Sequence, residues 1–125
     1  MNLVSEATRQ RLAAHHPEAA TEIGNLEAVL DGTSLDAGLL ELCSRFFETS
    51  MRGDEWLPPE SLTALETACL AVCEQFMVSV SGISDEQIAA LNEHLNADDV
   101  YNLMSAIYLV EMSKRLDLTL EQVLQ

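Results

Sequence analysis

Positive charge and aromatic side chains are both scarce in this sequence. Six of the 125 residues are lysine or arginine, 21 are aspartate or glutamate, and the formal net charge is −15. A surface with this balance repels phosphate backbones and anionic lipid headgroups, so we expect neither nucleic acid nor a membrane as a partner. Aromatic residues make up only 5% of the chain. The core therefore has to be mostly aliphatic, which favours helices over a β-sandwich or barrel.

Long apolar runs and an even number of cysteines are also absent. No apolar stretch approaches the ~18 residues that a membrane span needs. The N-terminal segment "MNLVSEATRQRLAAHH" lacks the apolar run of about 7–15 residues that is typical of signal peptides. Three cysteines cannot all pair in a disulfide framework. We therefore expect a cytoplasmic protein with reduced thiols, and no cofactor.

Length and hydrophobic content predict a single-domain, all-α helical bundle over residues 1–125. A chain of this length, with 48% hydrophobic residues, can bury a core without help from a metal or a disulfide. Capping residues, and apolar positions three and four apart, divide it into helices. The predicted helices begin at Ser5, Pro17, Ser34, Pro59 or Glu60, Ser84, Asn96 and Thr119, and the sixth ends near Lys114 and Arg115.

Apolar residues surround the predicted sixth helix almost completely between Val100 and Met112. A helix of this kind is buried on several sides, either at the centre of its own chain or against another subunit. By contrast, the interval between Gly53 and Ser113 contains eleven carboxylates and no lysine or arginine. Such a charge keeps a protein dispersed in solution, or it attracts a basic protein partner.

Two cysteines, Cys69 and Cys73, are four residues apart in the predicted fourth helix. Side chains at this spacing lie about 5–6 Å apart at Cβ, whereas a disulfide needs about 3.5–4.5 Å. With a helix start at Pro59 or Glu60, Cys69 is also about ten residues from the helix N-terminus, beyond the reach of its dipole. The pattern favours two small core residues over a redox couple. A metal is not expected, because no histidine or third thiol lies at ligand spacing.

Glu66 falls within the apolar stripe of the same predicted helix, between Cys73 and Met77 on the helical wheel. A carboxylate in that place needs a partner, a water-filled pocket or a raised pKa, unless it lies at the edge of the stripe and reaches solvent. Glu66, Cys69 and Cys73 are therefore the candidate catalytic residues, with Glu66 the best single candidate if it is buried.

The C-terminal half carries a helix end "CEQFMVSV", a short helix "ISDEQIAAL", an acidic cap and the long helix "VYNLMSAIYLVEMSKRL". In this combination the chain resembles the carboxymuconolactone decarboxylase / alkylhydroperoxidase D family, with a family-like core at about residues 34–120. The resemblance implies an all-α fold that assembles into trimers, hexamers or similar rings. A homo-oligomer is therefore the expected assembly.

The active-site pattern of that family is missing here. In its peroxidase branch the resemblance implies a C-x-x-C motif, a histidine after three further residues and a glutamate upstream. "CLAVC" has one residue too many, and Met77 takes the place of the histidine. The decarboxylase branch acts on a small lactone acid, for which only Arg45 and Arg52 offer nearby positive charge. No catalytic residue is therefore carried over from the family.

These observations predict a non-peroxidatic, decarboxylase-like helical protein that serves as an oligomeric interaction or small-ligand-binding protein. This interpretation favours a role without catalysis. The alternative is a thiol-dependent peroxidase or oxidoreductase that uses Cys69, Cys73 or Cys43 in an atypical geometry. A third hypothesis is an acidic decoy that occupies a basic partner.

Overall fold

The computed structural model describes residues 1–123 and shows an all-helical chain, as predicted. Within this range there is no β-strand, and no helix has the combined length and hydrophobicity needed to cross a bilayer. Six α-helices are joined by short connections, with one 3₁₀ turn at Val80–Gly82. The helices are α1 (Glu6–His15), α2 (Pro17–Asp31), α3 (Ala37–Met51), α4 (Ala64–Val78), α5 (Asp85–Asn92) and α6 (Ala97–Val123).

Three predicted helix caps are confirmed by their hydrogen bonds. The Ser5 hydroxyl accepts the Thr8 amide of α1 at 3.2 Å, and Ser84 forms a complete capping box with Gln87 at the start of α5. Asn96 Oδ1 accepts the backbone N–H of α6 residue Asp99 at 2.8 Å. Each cap satisfies an amide that has no partner inside its own helix.

Two predicted helix starts are wrong. Helix α3 begins at Ala37 after Asp36, whereas the predicted cap Ser34 donates its hydroxyl to the Asp99 carboxylate at 2.6 Å. Helix α4 begins at Ala64 and not at Pro59 or Glu60, because Thr63 caps it. Residues 52–63 between α3 and α4 therefore lie outside any helix.

The predicted end of the sixth helix at Lys114 and Arg115 is also wrong. Helix α6 continues without interruption to Val123, so Thr119 does not begin a separate helix. In this added part of α6, Asp117 is only 6% exposed and contacts the N-terminal segment, which stabilises the helix beyond Arg115. Its carboxylate accepts hydrogen bonds from the Ser5 N–H at 3.2 Å, the Ser5 hydroxyl at 2.9 Å and the Thr8 hydroxyl at 2.5 Å.

Helix α3 lies at the centre of the packing, in contact with α6 on one side and α4 on another. Helix α4 in turn packs against α5, and α5 packs against α6, while α1 joins α2 and α6. The interior is mostly aliphatic, as the composition predicted. Its most deeply buried members include Phe47, Val72, Leu91, Leu103, Ile107 and Val110.

A second polar anchor fixes the chain N-terminus to α2. Glu27 accepts a hydrogen bond from the Leu3 backbone N–H at 2.7 Å and an ionic hydrogen bond from the Arg9 guanidinium at 2.5 Å. Burial opposes ionisation of Glu27, but the bonds from Arg9 and Leu3 outweigh it, so the pKa of Glu27 lies below its usual value. Leu3 is thereby held in the core at 1% exposure.

The lowered pKa of Glu27 predicts a pH-dependent contribution to stability. A carboxyl group with a lower pKa in the folded state stabilises the fold above its unfolded pKa, about 4.3. That contribution is lost as the pH falls through the lower, folded value. We expect Glu27→Gln to reduce the free energy of unfolding by about 1–2 kcal/mol at pH 7, and the difference from wild type to shrink towards pH 3.

Urea denaturation at a series of pH values measures this difference. Glu22→Gln, at an exposed position on the same helix, is the matched control and should leave both stability and its pH dependence nearly unchanged. A difference between Glu27→Gln and wild type that grows at acid pH would contradict the assignment.

Candidate functional site

The three cysteines meet at the contact between α3 and α4. Cys69 and Cys73 project from one face of α4, and Cys43 approaches them from α3. The sulfur atoms of Cys43 and Cys69 are 3.3 Å apart, and all three sulfurs lie within 4.8 Å of one another. Each residue is 0% exposed, and all three are free cysteines. We call this group the thiol cluster.

The thiols of this cluster differ in their readiness to ionise. Hydrogen bonding from the Cys69 thiol, supported by Cys73, holds the pKa of Cys43 below its usual value in spite of burial. The pKa of Cys69 is raised chiefly by its hydrogen bond to Cys43, and that of Cys73 by Cys43, by Cys69 and by burial. No lysine or arginine contributes to any of these shifts within the described residues. A single negative charge is therefore the most that the reduced cluster holds readily.

The sequence pattern found only part of this cluster. Spacing along α4 pairs Cys69 with Cys73, but Cys43 is 26 residues before Cys69 and reaches it only through helix packing. Cys69 is also the sixth residue of α4 and not about the tenth, because the helix starts at Ala64. The third thiol that sequence spacing did not reveal is therefore supplied by α3.

Glu66 has a structural partner at the start of α4. Its carboxylate accepts the Thr63 backbone N–H at 2.9 Å, while the Thr63 hydroxyl accepts the Glu66 N–H at 3.1 Å. This reciprocal pair is a capping box, and its sequence signal is the spacing T-x-x-E at the helix start. Glu66 is half-buried at the edge of the helix and is not a member of the thiol cluster.

A second candidate site is an exposed apolar surface on α6. Tyr101 and Tyr108 are 74% and 54% exposed, on the helix that the sequence predicted to be buried either within its own chain or against another subunit. They border a shallow groove of about 450 Å³, which we call the tyrosine face. The residues that line it are Phe76, Tyr101, Met104, Ser105, Tyr108 and Leu109.

None of the residues that line the tyrosine face is charged. From Tyr101 to Val110 the sequence of α6 contains no charged residue. Val78 and Val80, which follow Phe76 along the chain, are 79% and 59% exposed. Exposed apolar residues that are grouped in this way indicate a contact surface for another molecule.

The arginines that a decarboxylase would use are already engaged or balanced by carboxylates. Arg52 forms ion pairs with Glu48 at 3.4 Å and with Glu121 at 2.9 Å. Arg45 lines an open cavity of about 460 Å³ that also contains the side chains of Glu48 and Glu55. Trp56 closes one side of this cavity and packs edge-on against Phe46, with ring centroids 5.5 Å apart. An anionic substrate would meet two carboxylates in this cavity.

If Glu66 serves only in the capping box of α4, its replacement should affect stability less than loss of the Thr63 cap. We expect Thr63→Ala to lower the free energy of unfolding by about 0.5–2 kcal/mol. Glu66→Gln should cost little, because glutamine also serves in a capping box. Urea denaturation followed by helical circular dichroism compares the two variants. A loss of stability in Glu66→Gln as large as in Thr63→Ala would show that the carboxylate has another essential contact.

Comparisons with known proteins do not add a relative to these observations. No family model, curated protein or solved structure matches the chain. The resemblance to the decarboxylase and hydroperoxidase family thus stays a prediction from the sequence.

Proposed function

We propose that this chain is a non-peroxidatic helical interaction protein that pairs with a second copy of itself through the tyrosine face. The observation that carries the proposal is the exposure of Tyr101 and Tyr108 on an uncharged stretch of an otherwise acidic chain. Tyrosine is well suited to such contacts, because a large apolar ring is buried while its hydroxyl finds a polar partner. The decarboxylase-like resemblance, which implies helices buried between subunits, agrees with this proposal.

The spacing on α6 suits a two-fold symmetric pair. Tyr101 and Tyr108 are two helical turns apart and share one face, with Ser105 between them. If two α6 helices run antiparallel about an axis beside Met104 and Ser105, Tyr101 of each copy lies opposite Tyr108 of the other. Ser105 is small enough to let the helices approach closely, and a two-fold contact uses the same patch on both copies.

Charge distinguishes a second copy from a basic partner. A basic protein would bind where carboxylates are exposed, but the tyrosine face contains none between Tyr101 and Val110. Two copies with a formal charge of −15 each repel one another over long range. Pairing through uncharged faces keeps the carboxylates apart and leaves only this long-range repulsion, which dissolved salt screens.

This proposal predicts self-association that strengthens with salt. We expect sedimentation velocity to show a dimer. Its dissociation constant should decrease when NaCl is raised from about 50 mM to about 500 mM, because salt screens the repulsion between the copies. Tyr108→Glu should raise the dissociation constant by about tenfold or more, because it buries a charge in the contact.

Val29→Glu provides the matched control, since Val29 is 63% exposed on α2 and lies outside the tyrosine face. It introduces the same charge and should leave dimerisation nearly unchanged. A wild-type chain that stays monomeric at high concentration and high salt would contradict the proposal. Self-association that weakens with salt would also contradict it, because attraction between opposite charges would then drive the contact.

A thiol-dependent peroxidase is the second candidate function, and the 3.3 Å distance between the Cys43 and Cys69 sulfurs favours it. In such a reaction the Cys43 thiolate attacks a hydroperoxide oxygen, giving a sulfenic acid and releasing an alcohol or water. The Cys69 thiol then displaces water and forms a Cys43–Cys69 disulfide. Complete burial of the sulfurs works against this reaction, because the peroxide has to reach them.

Brief treatment with hydrogen peroxide separates the two candidates. We expect the thiols to stay reduced in the native chain and to oxidise when the same treatment is given in urea, because a brief treatment reaches the buried sulfurs only when the chain is unfolded. Intact mass after thiol alkylation reports the result. Rapid loss of two hydrogens in the native chain, with Cys43 and Cys69 protected from alkylation, would favour the peroxidase.

A further inference from the structure

The thiol cluster is a donor set of three sulfurs and nothing else. We propose that Cys43, Cys69 and Cys73 together form a binding site for a soft trivalent ion of the arsenous acid class, held by three sulfur bonds. Thiolate sulfur selects soft ions, and no histidine or carboxylate belongs to the cluster among the described residues. Hard cations such as Ca²⁺ and Mg²⁺, which need oxygen ligands, are therefore disfavoured.

The number of ligands argues against a structural zinc ion. Such zinc sites almost always hold four protein ligands in a tetrahedron, whereas this cluster offers three sulfurs within 4.8 Å of one another. Two of them, Cys69 and Cys73, are fixed one turn apart on α4, and Cys43 completes a triangle from α3. A three-coordinate ion matches this arrangement.

The charge of the ion follows from the surroundings of the cluster. All three residues are 0% exposed, and no cationic side chain acts on them among the described residues. Three thiolates around a monovalent or divalent ion would leave net negative charge in the core, which is costly. Three thiolates around a trivalent ion form a neutral complex, so arsenic(III) fits where copper(I) or zinc does not.

The binding step is a ligand exchange that balances without oxidation or reduction. Arsenous acid carries three hydroxyl groups and is uncharged near neutral pH, so the acidic surface does not repel it. Three arsenic–oxygen bonds break and three arsenic–sulfur bonds form. Each thiol proton combines with one hydroxyl group to form water, so three water molecules are released.

Access to the buried cluster requires a separation of α3 from α4. The two helices are joined by residues 52–63, which lie outside any helix, so their contact can open without breaking a continuous element. Once formed, the three bonds cross-link α3 to α4. Binding to the folded state alone also raises stability by mass action.

The test is an equilibrium titration of the full, reduced chain with sodium arsenite, incubated overnight to allow opening. We expect intact mass to show one arsenic gained and three hydrogens lost per chain, all three thiols protected from alkylation, and a raised melting temperature. Cys43→Ala should weaken arsenite binding by about tenfold or more, because the third thiol acts at high effective concentration.

Two further variants distinguish loss of arsenite binding from loss of folding and from loss of dimerisation. Cys73→Ala leaves the close Cys43–Cys69 pair intact and should weaken binding to a similar extent, with circular dichroism used to verify that both alanine variants are folded. Tyr108→Glu should bind arsenite as wild type does, so a failure of self-association would leave this result unaffected.

Three outcomes would overturn the proposal. The first is a native chain that takes up no arsenic. The second is an adduct that keeps one hydroxyl group on arsenic, which would show that only two thiols bind. The third is zinc or copper(I), titrated in parallel, binding to the three thiols and displacing arsenic at equal concentration.

Discussion

The contact of α3 with both α4 and α6 is the constraint on which the other features depend. Phe47 of α3 is fully buried, and it lies in the same hydrophobic core as Val72 of α4 and Ile107 of α6. This packing brings Cys43 to the two α4 thiols. It also buries one side of α6 and so determines which side of that helix remains exposed. The thiol cluster and the tyrosine face are thus two results of one packing arrangement.

Helix α6 combines two very different surfaces on one rigid element. At 27 residues it is about 40 Å long, with Leu103, Ala106 and Ile107 in the core and Tyr101 and Tyr108 in solvent. The hydrophobic pattern of the sequence does not separate these surfaces, because both are apolar. The exposed tyrosines therefore belong to an apolar surface that the rest of the described chain leaves uncovered, and the proposed pairing rests on that surface.

Local chemistry decided which elements could be predicted from the sequence. Ser5, Ser84 and Asn96 cap helices where expected, because capping depends on residues only a few positions away. Helix α4 starts later than the predicted Pro59 or Glu60, because the T-x-x-E capping box at Thr63 determines the first helical residue. The continuation of α6 past Arg115 and the approach of Cys43 to Cys69 could not be foreseen, because each depends on residues far apart in the chain.

The bond between Thr8 and Asp117 spans 109 residues, and that between Ser5 and Asp117 spans 112. During translation the N-terminal segment leaves the ribosome long before Asp117 is made. Until Asp117 has been made, the Thr8 hydroxyl lacks the acceptor that it has in the native fold, and α1 cannot complete its native contacts. Helix α1 can therefore pack on α2 as soon as both have formed, whereas its bond to α6 becomes possible only after Asp117 has been made.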